Sequence, residues 1–501
     1  MRARFLVAAL LVLTGCTGSA TTTTSSTTVP IATTTAPDPC PEHLCVRLEL
    51  DPGAVWSDGT PVTAADFAHT LEEVPTSGGH DREEGGVEVE VLGDHELVLR
   101  VSHEAVPWQS VFEVVLPAHD PGPTSGPLTP TGDGGFRGDG FRIELVEVDG
   151  VRGVIQALRR GEADLGWIPD PPVWAVEELS ALEGVETIVS PGRDWEMITF
   201  NQRNPTLQPP LIRQAVAKSL DREALLDLTV RTVDPTAEPL DSTMWMHGSG
   251  VPVEPYPHSH DLEAARSRLE EMGCSPGADG IFVCDGEPLV LTWVTTAGDP
   301  WREAMVERAK EDLADAGIGV EVRLMLPEDL YAGEHLFGDG WDIASFALEA
   351  QADPGAAAEL YLCDGLVNVG AHCQTGIAER IESGLLATDP EERREIFDEV
   401  DGEFLRQAAI IPLFQRPVAW AFAGAAPASE PAPLEGPFEV AVELGRDIRI
   451  AVVETPGDPA TTGPLDLLTE SLRRVLYRGA FRARGDGGYE PDLVVDFEVI
   501  P

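Results

Sequence analysis

From residue 141 onward the chain alternates between two periodicities, and this alternation constrains the fold more than any other feature. Residues 141–148 alternate apolar and polar side chains, as a half-buried strand does, and residues 151–161 then carry apolar side chains at helical spacing and stop at Gly161. Leu165 to Trp167 reads as a buried strand. Ile212, Val216 and Leu220 stand four apart and line one helix face, with Pro210 placed to start that helix. Residues 261–273 form another amphipathic stretch closed by Gly273. Residues 289–294 read as a strand, 301–316 as a helix stopped by Gly317 and Gly319, 320–326 as a strand, 391–409 as a helix and 410–414 as a strand. Strands separated by helices of this length predict an α/β fold with parallel pairing.

The region before residue 141 follows a different pattern. Val46 to Leu50 alternates like a strand and runs into an Asp51-Pro52-Gly53 turn. Thr63 is placed as the N-cap of a helix that carries Asp66 and Phe67. Residues 87–101 give two strand-like alternations about Gly93 and Asp94. Residues 121–140, rich in Gly, Pro, Asp and Thr, read as a long loop.

The first residues have the layout of an export signal. Arg2 and Arg4 precede an apolar run from Phe5 to Leu13 that is too short to span a membrane. Leu13-Thr14-Gly15-Cys16 resembles a lipobox, which implies cleavage before Cys16 and a diacylglycerol anchor on its sulfur. Residues 21–37 are almost all Thr, Ser, Ala and Pro and read as a tether. Six further cysteines fall as the close pairs Cys40 and Cys45, Cys274 and Cys284, Cys363 and Cys373. An even count behind an export signal favours disulfides, though six cysteines permit fifteen connectivities. The 86 acidic residues outnumber the 34 basic ones, for a net charge of -52. That balance repels nucleic acid and predicts no nucleic-acid partner.

Two stretches carry a family resemblance. Residues 449–459, 475–481 and 486–493 resemble the opening of a family 5 extracellular solute-binding protein, the ligand receptor of a peptide- or nickel-type ABC importer. Residues 46–67, with Trp56-Ser57-Asp58-Gly59-Thr60, resemble the segment that follows that opening in the family. Gly161-Glu162-Ala163-Asp164 and residues 210–223 continue the resemblance. The order implies a circular permutation, with the family's first segment moved to the C-terminus.

The resemblance implies a periplasmic-binding-protein type II-like fold of two lobes with mixed sheets, hinged on two crossing segments near residues 200–204 and 414–420. The expected organisation is a signal peptide at 1–15, a tether at 16–38, lobe I at 39–200, lobe II at 201–416, and the remainder of lobe I at 417–501, with 447–501 as the permuted part. Glu454, Trp341, Glu349, Gln351, Trp245 and Asn201 are the expected ligand-facing residues. Peptide binders of the family carry an aspartate four residues before a loop proline. Counting back from Pro354 gives Ala350, with Glu349 adjacent.

The implied function is solute capture for an ABC permease by a lipid-anchored monomer on the extracytoplasmic face, without cofactor or catalysis. The ligand is a short peptide or another small solute. Two other classes compete with this reading. A surface sensor or adhesin that keeps the fold is one, and the shortened 74–140 region and Ala350 favour it. An envelope hydrolase is the other, yet His247-Gly248-Ser249-Gly250 imitates only part of a nucleophile elbow. His258 and His260 read as a solvated loop rather than a metal site.

Overall fold

The computed structural model describes residues 43–73, 87–102, 108–119, 122–331, 335–363, 365, 367–387, 389–460, 466–484 and 488–500. The export signal, Cys16, the tether and Cys40 lie outside the described residues.

A ten-stranded mixed sheet runs through the molecule. Its order is Gly319–Met325, Val290–Thr296, Ile343–Glu349, Val185–Phe200, Ile410–Ala423, Leu165–Pro169, Ile448–Val452, Arg142–Glu147, Phe136–Arg137 and Thr129–Pro130. Pairing is parallel among the first three strands of this order, antiparallel through Ile343–Glu349, Val185–Phe200, Ile410–Ala423 and Leu165–Pro169, parallel again from Leu165–Pro169 through Ile448–Val452 to Arg142–Glu147, and antiparallel over the last two short strands. The mixture follows from two long strands of 16 and 14 residues, Val185–Phe200 and Ile410–Ala423, which run antiparallel to each other through both halves of the molecule.

Apolar side chains fall into separate cores on either side of a crossing point. Val189 and Ala419 belong with the lobe I clusters, whereas Trp195 and Phe414 belong with those of lobe II. The crossing therefore occupies about residues 190–194 and 415–417. The second position is where the sequence placed it. The first comes earlier than the expected 200–204, because Val185–Phe200 continues as one strand to pair Trp195–Phe200 with Ile343–Glu349 inside lobe II. Gly192 is required there, since a Cβ would stand 2.5 Å from the Arg416 carbonyl oxygen of the facing strand.

Helices begin where local chemistry starts them. Asp299 and Asp389 each cap a helix, Pro300–Ala316 and Pro390–Arg406, by accepting hydrogen bonds from its first amides, and each is followed by a proline at the first helical position. Gly317 ends the first of these at φ 88°, a left-handed conformation that glycine adopts without strain. Thr63 differs from expectation. The helix does start at Ala64, but Asp66 accepts from the Thr63 amide at 2.7 Å and the Thr63 hydroxyl is turned to the same carboxylate. The 121–140 stretch is not wholly loop. It holds the short strands Thr129–Pro130 and Phe136–Arg137, which extend the large sheet.

The C-terminal segment is built into lobe I of its own chain. Strand Ile448–Val452 lies parallel between Arg142–Glu147 and Leu165–Pro169. Strand Val494–Ile500 pairs antiparallel with His43–Leu50, placing Val46 opposite Val499 and Leu48 opposite Phe497, in a four-stranded sheet completed by Glu96–Ser102 and Val87–Gly93. Phe497 packs on Trp108 and Phe481 at ring distances of 5.3 and 5.8 Å. Disulfides join Cys274 to Cys284 and Cys363 to Cys373, as nearest-neighbour pairing expects. Cys45 is also disulfide-bonded.

Candidate functional site

Five charged groups meet at the boundary between the lobes, Glu196 and Arg416 on the two crossing strands and Asp170, Asp299 and Arg302 beside them. Arg416 reaches Asp299 at 2.6 Å, Glu196 at 3.2 Å and Asp170 at 3.5 Å, and Arg302 meets the same Glu196 at 2.7 Å. Glu196 is 1% exposed. A carboxylate this deeply buried is kept in place by pairing, here with the Arg302 and Arg416 guanidinium groups. Arg302 and Arg416 are held cationic by Glu196 against that same burial.

A second network joins lobe to lobe. Arg193, next to the crossing, forms an ion pair with Glu349 of lobe II at 2.7 Å and donates to Glu470 of lobe I at 2.5 Å. Arg474, on the same lobe I helix Leu467–Leu476, reaches Glu470 and Glu439, each at 3.3 Å. Burial pushes the Glu349 carboxyl above its usual range, with Arg193 opposing it. Burial also acts on Glu470, but Arg193 and Arg474 outweigh it and hold that carboxyl below its usual range. A third contact lies further out, where buried Asp353 of lobe II pairs with Arg393 and accepts from the hydroxyl of Tyr489, a lobe I residue.

Between these networks lies a cavity of about 30 Å³, lined among others by Trp167, Asp170, Arg193, Arg416, Leu434 and Arg474. That is room for about one water molecule. A larger hollow of about 380 Å³ lies on lobe II, against Trp245, Met246, His247 and Val251. Among the described residues no group of three or more His, Cys, Asp or Glu side chains could hold a metal ion.

The expected ligand-facing residues divide. Glu349 stands at the lobe boundary. Gln351 is exposed nearby, and Glu454 is exposed on the loop that leaves strand Ile448–Val452. Three others are buried and hydrogen-bonded within lobe II. Trp341 is 1% exposed, and its indole N–H donates to the Leu336 carbonyl at 3.1 Å. Trp245 is 4% exposed and donates to Asp398 at 2.7 Å. Asn201 is buried, with its amide donating to the carbonyls of Gly338 and Trp341. Each of the three is fully engaged within lobe II, because a buried polar atom must find a partner there. The sequence reading missed Arg193, Arg416, Glu470, Asp353 and Tyr489. One local signal was present. Pro191 and Gly192 interrupt a strand and are followed at once by Arg193 and Asp194.

Residues 142–357 match the family model described as bacterial extracellular solute-binding proteins, family 5, middle region. Over 74% of its length the chain is 24% identical to the oligopeptide-binding protein OppA of Mycobacterium tuberculosis, covering 69% of that protein. It is also 24% identical to Protein XP55 of Streptomyces lividans, over 71% of this chain and 70% of that one. Among solved structures, the periplasmic EDTA-binding protein EppA superposes with a TM-score of 0.60 at 20% identity, covering 76% of this chain and 80% of EppA. NikA from Brucella suis, in complex with Fe(III)-EDTA, gives 0.60 at 16% identity, covering 80% and 89%. The fold is therefore the mixed α/β, two-lobed type of these periplasmic binding proteins.

Proposed function

We propose that this chain, a member of the family 5 extracellular solute-binding proteins, is the extracytoplasmic receptor of an ABC importer and captures a small solute between its lobes. The observation that carries the reading is the crossing of only two strands between separately cored lobes. Such a connection lets the lobes rotate about residues 190–194 and 415–417 while each stays intact. Affinity then comes from enclosing the solute, with Arg193, Glu349 and Glu470 fixing its polar ends. Relatives named for oligopeptides, and a solved structure named for an iron chelate, support two ligand classes. Ala350 in place of an acidic residue, with Glu349 already paired to Arg193, weighs against a free peptide amine as the main anchor.

The chain acts without chemistry of its own, as a monomer held to the membrane through Cys16 and the tether. Pairing of Val494–Ile500 with His43–Leu50 supports the permuted order, since it sets the C-terminal residues beside the first described ones. A non-transport surface role is favoured by one observation, the room for only about one water molecule in the cavity beside the crossing strands.

Isothermal titration of residues 38–501 with pooled tri- to pentapeptides, nickel–histidine and Fe(III)-EDTA separates these readings. Saturable one-to-one binding of one class, weakened about tenfold or more by Arg193→Gln, is expected. Folded protein that binds none of the three overturns the transport reading in favour of the surface role.

A further inference from the structure

Residues 425–436 connect the second crossing strand to the lobe I helix Pro437–Leu444, yet they do not take the short way. The segment reads Ala425-Ala-Pro-Ala-Ser-Glu-Pro-Ala-Pro-Leu-Glu-Gly436, with three prolines and no regular secondary structure. Its first part is tied to lobe I. The Ala425 carbonyl accepts from Arg446 at 3.1 Å, and Ala426 packs on the lobe I core. Its later part lies on lobe II. Leu434 packs on the cluster that contains Trp195, Trp245 and Met246, and Pro433 rests against Gly248, where a Cβ would meet its ring at 3.0 Å. The segment then returns to lobe I, where Arg474 donates to the Leu434 carbonyl at 3.0 Å. Pro433, Leu434, Glu435 and Gly436 are walls of the cavity between the lobes.

We propose that residues 425–436 form a built-in strap that clamps the two lobes together across the cleft, with Pro433 and Leu434 occupying space that a solute must enter. Proline suits this task, because a segment with fixed φ loses little conformational entropy on docking. The strap makes capture conditional. A solute competes with Leu434 for the lobe II surface, and the empty protein is held closed rather than open. The inference rests on the solute-binding reading for its consequence, but not for its geometry.

The test is an inter-lobe distance measured without any ligand, so it succeeds or fails independently of the binding reading. Spin labels at Ser180→Cys on lobe I and Glu270→Cys on lobe II, both exposed positions, report the separation in residues 38–501. Wild type is expected to give one short, narrow distance distribution. The Pro433→Gly, Leu434→Gly double variant is expected to shift it to longer and broader values, with its circular dichroism retained. A second route replaces the exposed residues 428–430 with a protease site and cuts the folded protein, which should give the same shift. Should the double variant lose its fold, the cut protein decides. An unchanged narrow distribution after cutting overturns the proposal, and so does a broad distribution in wild type.

Discussion

Glu196 lies 1% exposed between Arg302 and Arg416, accepting from the first through both of its oxygens. Removing Glu196 leaves Arg302 charged without its main counter-ion in a largely dry site, while Arg416 keeps Asp299 and Asp170. Glu196→Ala is expected to cost about 3–5 kcal/mol in urea denaturation. Replacing both Glu196 and Arg302 by Met should cost less than Glu196→Ala alone. An exposed pair such as Arg268 with Glu271 makes a useful contrast, at about 0.2–1 kcal/mol. Neither Glu196 nor Arg193 was legible as part of a site. Glu196 meets an arginine 106 residues away and Arg193 a glutamate 277 residues away, and no local pattern encodes such distances.

His258 makes a second residue-scale point. The sequence reading put it in a solvated loop, but the structure buries it to 6% exposure, with its Nε2 at 3.0 Å from the Leu405 carbonyl. Burial lowers its pKa from 6.5 to about 4, with the nearby cations Lys218 and Arg268 acting in the same direction. A histidine held neutral in the fold but free to protonate when unfolded stabilises the protein above pH 6.5. That contribution is lost as pH falls from 6.5 through 4. The loss amounts to about 3 kcal/mol at pH 4. Stability of wild type and His258→Asn, followed by denaturation from pH 7 to 4, should show the wild type losing more. Parallel curves would mean that the histidine is not held neutral.

At the scale of elements, the strand and helix alternation from residue 141 was legible because each element carries its own periodicity and caps. Asp before Pro at residues 299–300 and 389–390, and Gly317 after a helix, act within a single turn. The long strand Val185–Phe200 does not stand out as one element in the sequence, since Pro191 and Gly192 punctuate it. What keeps it one strand is its pairing with Ile410–Ala423, which lies far away in sequence. The C-terminal strand Val494–Ile500 tests whether such pairing matters. Deleting residues 494–501 bares one edge of His43–Leu50 and strips Phe497 from Trp108 and Phe481. The deletion is expected to lower stability by at least about 3 kcal/mol, the scale of removing one buried aromatic side chain. An unchanged melting profile would show that the segment is a passive tail.

Across the whole molecule, two lobes with their own cores share one sheet and touch through Arg193, Asp353 and residues 425–436. That the chain folds as two lobes with mixed sheets was legible. What fills the space between them was not, because the filling comes from a proline-rich connection that carries no periodicity. The central claim is that the boundary between the lobes is the place where a solute binds. Hydrogen exchange of residues 38–501, with and without a saturating member of the peptide or chelate set, tests it most directly. Slower exchange is predicted at 190–195, 348–353 and 467–474, on both sides of the crossing strands, together with faster exchange at 431–436 as the strap is displaced. Protection confined to a single lobe, or to the surface hollow beside Trp245, would contradict the account.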